Sequence, residues 1–270
     1  MNKNVFLAYI VIFLCILLLV GSYTQWKNKL SSFAEQSPTT VASPKPVQKS
    51  EGVAESVKPK ENIEQLLSLT TSQDKQVQEV FRKRLEAGEK VDILITGSNL
   101  MDYGTPGYTE RLKTALVGAY GDHITVTAIG FDATSQQFMD ELMEKKIDLS
   151  KGYDVILFEP FTLHDNGIVT IEDEHAYISV FRSQLKEQVA DAIIVLHPPN
   201  PLFAATYYPT QVAALQLYAE TEGIPYVNHW EGWPDQTTEE LLTYLEDKSR
   251  PNSDGAEVWA NALRTYFIAN

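Results

Sequence analysis

From residue 90 onward, strand-length apolar runs alternate with segments of helical spacing, and that alternation leaves few folds open. The runs are 91–96 (VDILIT), 124–129 (ITVTAI), 154–159 (DVILFE), 192–197 (AIIVLH) and 224–228 (IPYVN). Between and after them, 109–119, 135–146, 172–189, 210–221 and 253–268 place apolar residues at helical spacing. Near-continuous apolar strands are buried on both faces, so the sequence predicts a five-stranded parallel sheet with helices on either side. Ligands of such sheets bind at the carboxyl ends of the strands, where loops and helix amino termini converge. The residues that close each strand are therefore the candidates for chemistry.

Composition narrows the class. The 270 residues are 44% apolar and 21% charged, which excludes a wholly disordered, collagen-like or disulfide-dense chain. The net charge is −14, and it is unevenly placed. Residues 1–90 carry 12 basic and 9 acidic side chains, whereas 91–270 carry 10 and 27. A domain that acidic lacks the clustered Lys and Arg that phosphate backbones require, so nucleic acid is not expected as a partner. The single cysteine, Cys15, excludes an internal disulfide and a multi-cysteine metal site.

Cys15 sits in the apolar run 5–20 (VFLAYIVIFLCILLLV), which continues to Trp26. At 1.5 Å per residue, about 20 such residues span a hydrocarbon core of roughly 30 Å. A cleaved signal peptide wants a shorter run and a small-x-small site, and a lipoprotein wants a small residue where Leu14 stands. Residues 1–26 read as an uncleaved signal anchor with Trp26 and Lys27 at the interface. This predicts a single-pass protein of the cell membrane with the bulk of the chain extracytoplasmic. Residues 27–60, rich in Ser, Thr, Pro and Lys without periodicity, read as a disordered stalk. Residues 61–89 read as a helical segment, with Ile63, Leu66, Leu67, Val77, Val80, Phe81 and Leu85 on its apolar face. The folded domain is expected over 90–270.

The strand ends hold a consistent set. Gly97 and Ser98 follow the first strand; Gly130, Phe131 and Asp132 close the second. Glu159, His164, Asp165 and Asn166 lie on one long loop after the third. His197-Pro-Pro-Asn200 closes the fourth and Asn228-His229-Trp230 the fifth, while 247–252 (DKSRPN) precedes the last helix. Taken alone, a serine after a strand is most often a helix cap.

In order and spacing, Gly97-Ser98, TLHD (162–165) and DKSRPN resemble the SGNH/GDSL hydrolase superfamily. YDVILFEPFTLHDNG, HPPNPLFAATYYP and HWEGWP resemble a membrane-anchored Gram-positive subgroup of it. The resemblance implies a flavodoxin-like three-layer domain with Ser98 as nucleophile and Asp247 as triad acid. It also implies oxyanion donors at the Ser98 N–H, near Gly130, and at the third motif, where His164 replaces the family's Asn and Asn166 lies two residues on. The family's catalytic histidine is Arg250 here, and a guanidinium stays protonated and cannot serve as a base. Three of the five histidines, His164, His197 and His229, lie at predicted strand ends, and His229 is the first candidate for the base.

Aromatic residues in the rim loops, Trp230 and Tyr207 foremost, suit sugar rings, which offer an apolar face and hydroxyl edges. Two functions follow. One is a serine esterase acting on O-acyl groups of cell-envelope glycans. The other is a catalytically impaired domain that binds glycan or an envelope partner, with Arg250 pairing Asp247 or an anionic ligand. No cofactor is expected, because the first loop lacks a Gly-rich phosphate cradle, and no histidine spacing specifies a metal.

Overall fold

A computed structural model describes residues 60–144 and 147–269; the expected anchor at 1–26 and the stalk up to residue 59 lie outside the described residues. Two helices come first, α1 (Lys60–Ser68) and α2 (Lys75–Glu86). The alternation follows as β1 (Val91–Ser98), α3 (Tyr108–Tyr120), β2 (Ile124–Phe131), α4 (Ser135–Met143), β3 (Val155–Phe158), α5 (Ile171–Gln188), β4 (Ile193–Leu196) and α6 (Tyr208–Glu222). A short hairpin, β5 (Leu245–Glu246) with β6 (Arg250–Pro251), leads into the last helix, α7 (Ser253–Phe267).

The main sheet is parallel in the order β2-β1-β3-β4. Strand alternation divides its side chains between two cores. Ile93, Ile95, Val155, Leu157 and Val195 face one layer, formed by α1, α2, α3 and α7 through Leu66, Phe81, Leu112 and Trp259. Leu94, Ile156, Phe158, Ile194 and Leu196 face the other, formed by α4, α5 and α6 through Phe138, Phe181 and Leu215. The fold is thus the three-layer α/β arrangement with flavodoxin-like strand order, and the 61–89 segment packs into its first core.

The expected fifth strand is a correction. Residues 224–228 join β4 by one parallel bridge, Leu196 to Tyr226, in which Leu196 N donates to Pro225 O and Val227 N to Leu196 O, both at 2.8 Å. The next rung on either side needs an N–H from residue 225 or residue 198. Both are prolines, which have none to give. The sheet therefore has four strands and a single-bridge edge.

The order of the strands puts a switch point between β1 and β3, since the chain leaves β1 toward β2 and returns on the other side to form β3. Gly97 lets the two strands close there. A Cβ on it would meet the Glu159 carbonyl oxygen at 2.5 Å and Glu159 Cβ at 2.6 Å. Gly97→Ala is expected to cost about 1–3 kcal/mol through overpacking, read as a lower urea midpoint. Gly118→Ala, on exposed α3 with nothing within 4 Å, is expected to raise the midpoint instead, by about 0.5–1 kcal/mol.

Candidate active site

Ser98 is fully buried and heads the short 3₁₀ turn Asn99–Asp102, yet its hydroxyl does not cap that turn. Among the described residues Ser98 Oγ meets no partner in full hydrogen-bond geometry, although it lies close enough to the Glu159 carboxyl to favour its charge. Its backbone N–H donates to Glu159 Oε2 at 2.7 Å. The other oxygen, Glu159 Oε1, accepts the Phe161 N–H at 2.9 Å. Glu159 is fully buried, and burial pushes its carboxyl up from the ordinary range, opposed by Ser98, by the charge of His164 and by the Phe161 N–H. Phe161 adopts a left-handed backbone, φ 70°, which is rare for a bulky residue. Packing fixes it there: its ring sits 5.1 Å from Phe138 and 6.0 Å from Phe158. The Ser98 N–H, expected as an oxyanion donor, is thus taken by Glu159.

The three rim histidines separate by what their rings already hold. His229 is fully buried; Nε2 donates to the Pro198 carbonyl at 2.7 Å, and Nδ1 accepts the Trp233 indole N–H at 3.0 Å. It also stacks on Trp259 at 4.5 Å, and burial holds its pKa well below the ordinary value. With both nitrogens spent, His229 is a core histidine, and the expectation that it serves as base is corrected. His197 is enclosed by Tyr108, Pro198 and Trp259, and burial lowers its pKa to about 3. His164 differs. Its Nδ1 lies 2.9 Å from the Ala133 carbonyl, an acceptor only, so Nδ1 is the donor there and, in the neutral ring, Nε2 carries the lone pair. His164 Nε2 makes no hydrogen bond.

Asp247 does not face a histidine. It occupies the turn of the β5–β6 hairpin with Lys248, both left-handed at φ 47° and 63°, and Ser249 N closes the turn on Glu246 O at 3.0 Å. Asp247 pairs with Arg250. Arg250 also donates to Tyr103 OH at 3.0 Å and lies 4.5 Å over the Tyr103 ring, clamping the hairpin to the loop that follows Ser98. Asn252 is the N-cap of α7, accepting the N–H groups of Asp254 and Gly255 at 2.9 and 3.1 Å, which gives the Pro-Asn pair a structural role.

The remaining predicted residues spread along the rim. Gly130 pairs in register with Gly97, and a Cβ there would reach Met101 Sδ at 3.0 Å. The Asn166 side chain is exposed beyond the helical turn Thr162–Asp165. Trp230 is half-buried against Tyr208, its indole N–H committed to Pro199 O at 2.7 Å. Tyr207 is 54% exposed and borders an open groove of about 380 Å³ with Ile168, Thr170 and Glu172. Tyr108, Phe161, Tyr208 and Trp233 are buried core. Among the described residues, no three His, Cys, Asp or Glu side chains gather as a metal ion requires.

What the sequence reading missed is the role of Glu159. The sequence offers one signal of its burial, a charged residue directly after a strand, VILF, that is buried throughout, but none of its partners.

No family model matches the chain, and a search of curated proteins returns no match. Solved structures do resemble it. A GDSL-like lipase candidate from Parabacteroides merdae shares 16% identity at a TM-score of 0.54, over 66% of this chain and 95% of that one. An acetylxylan esterase from Geobacillus stearothermophilus shares 14% at 0.52, over 66% and 94%. A lipase from a goat rumen metagenome shares 14% at 0.51, over 66% and 97%. The chain shares its fold with these GDSL-like lipase and acetylxylan esterase structures.

Two further carboxyls lie buried beside Glu159. Asp165 Oδ1 accepts the Ser135 N–H at 2.8 Å, at the start of α4, while its Oδ2 has no partner. Glu174 accepts the Thr162 hydroxyl at 2.5 Å. Burial raises both, Asp165 to about 6 and Glu174 well above the ordinary value, and the charges of Asp165 and Glu159 add to the shift of Glu174. A raised carboxyl binds more protons folded than unfolded, so its stabilisation is complete below pH about 4 and is lost as pH rises through about 6. The urea midpoint is therefore expected to fall between pH 4 and 6, with a shallower fall in Asp165→Asn. Equal slopes in the two proteins would contradict the assignment.

Proposed function

We propose that this protein is a membrane-anchored, extracytoplasmic serine esterase of the SGNH/GDSL type, acting on O-acyl groups of cell-envelope glycans. The observation that carries the reading is the position of Ser98 at the switch point of this fold, its hydroxyl capping no helix and having only the Glu159 carboxylate beside it. His164, its Nε2 lone pair free and its Nδ1–H fixed by Ala133, is the base. Ser98 Oγ attacks the acyl carbon and its proton passes to His164 Nε2. The tetrahedral adduct then expels the sugar hydroxyl, which takes that proton, and leaves Ser98 acylated. Water attacks the acyl-enzyme, again losing its proton to His164, and the carboxylic acid departs as Ser98 regains its hydrogen.

Likeness in fold to an acetylxylan esterase supports an acylated carbohydrate as substrate. The exposed Tyr207 ring beside its groove supplies a flat surface for a sugar. The anchor rests on the apolar run 5–26.

A second reading, a glycan- or partner-binding domain without turnover, is favoured by one observation. Arg250 stands in the position of the family's histidine and is closed onto Asp247 and Tyr103.

Labelling with an organophosphonate and turnover of p-nitrophenyl acetate separate the two. The esterase reading expects label on Ser98 alone, no turnover in Ser98→Ala, and a loss of about 10²–10⁴-fold in His164→Ala. A Ser98 that stays unlabelled both in the folded wild-type protein and in folded Glu159→Ala supports the binding reading.

A further inference from the structure

The Ser98 and Phe161 N–H groups come from two different loops and converge on one carboxylate, each on its own oxygen, at 2.7 and 2.9 Å. Both are preset by features that do not depend on the carboxylate. Ser98 follows Gly97, whose hydrogen is all that fits against Glu159. Phe161 is held at φ 70° by the rings of Phe138 and Phe158. Such a pair of aimed donors in a water-free setting is what a developing or product carboxylate needs.

We propose that these two N–H groups form an anion hole for a small carboxylate and that the Glu159 side chain is its built-in occupant, keeping the Ser98 site closed. The hole itself is independent of any catalysis; its bearing on turnover rests on the esterase reading above. While Glu159 fills it, an acyl oxygen cannot take the Ser98 N–H, and the buried Ser98 hydroxyl stays out of reach. Opening requires the carboxyl group to leave both donors together. The ligand class follows from the geometry. Truncating Glu159 at Cβ removes a methylene and a carboxylate, which is the size and charge of acetate.

The test is a titration of Glu159→Ala with sodium acetate, against sodium chloride at equal ionic strength, following the amide ¹⁵N–¹H signals of Ser98 and Phe161. Saturable shifts of both signals and a rise in Tm are expected, with no response in the wild-type protein. Phosphonate labelling of Ser98 is expected to be at least about tenfold faster in the variant and to slow when acetate is added, an effect of more than 1.4 kcal/mol on the barrier. Acetate binding without labelling would uphold the hole and overturn the esterase reading. A folded variant whose two amides ignore acetate would overturn the hole, whatever the labelling. Should Glu159→Ala fail to fold, the isosteric Glu159→Gln serves. Its NH₂ must face one of the two N–H groups, so at least tenfold faster hydrogen exchange at Ser98 or Phe161 is expected, and unchanged exchange at both would count against the proposal.

Discussion

A carboxyl group with no exposed atom ties together the loops that leave β1 and β3, at the place where the chain reverses its order in the sheet. Each of its two backbone N–H partners opposes the cost of keeping Glu159 out of water, although burial still raises its pKa. The surroundings are shaped to that contact. Gly97 has no side chain because Glu159 fills the space, and Phe161 keeps a backbone conformation that costs of order 1–3 kcal/mol because an aromatic cluster holds it. The three buried carboxyls, Glu159, Asp165 and Glu174, are each anchored by donors from a different element, so the rim loops are fixed by polar contacts as well as by apolar packing.

The layers of the fold were legible because burial on both faces leaves its mark on the residues of the inner strands. VILF and IIVL have no polar position to obscure the period, and helix limits fell close to where capping residues stand, as at Thr134 and Asn252. The fifth strand was misjudged because apolar content signals burial, whereas a ladder needs N–H groups that Pro198 and Pro225 lack. Ser98 was found at its expected strand end, and Asp247 and Arg250 ahead of the last helix, but pairing among rim residues is a three-dimensional property. Nothing in HWEGWP reveals that Trp233, four residues on, takes the Nδ1 of His229. Glu159 escaped for the converse reason: its partners are backbone N–H groups, which carry no side-chain signature.

On this scaffold the hairpin and the β3 loop divide the rim between them. Arg250 and Tyr103 fasten the hairpin to the loop after Ser98, so Arg250 serves as a brace. Under the proposed reading proton transfer falls to His164 on the β3 loop, whose 167–172 segment borders an open groove with Tyr207 from the loop after β4. The loop that would do the chemistry is thus the loop that Glu159 and Phe161 hold in place.

The Ser98–Glu159 contact can be observed without reference to activity. In uniformly ¹⁵N- and ¹³C-labelled protein, a scalar coupling transmitted across the hydrogen bond would link the Ser98 amide nitrogen to Glu159 Cδ. A resolved coupling, with the Ser98 amide proton protected from exchange, is the expected result. A missing coupling together with a Ser98 amide that exchanges as fast as an exposed one would contradict the account.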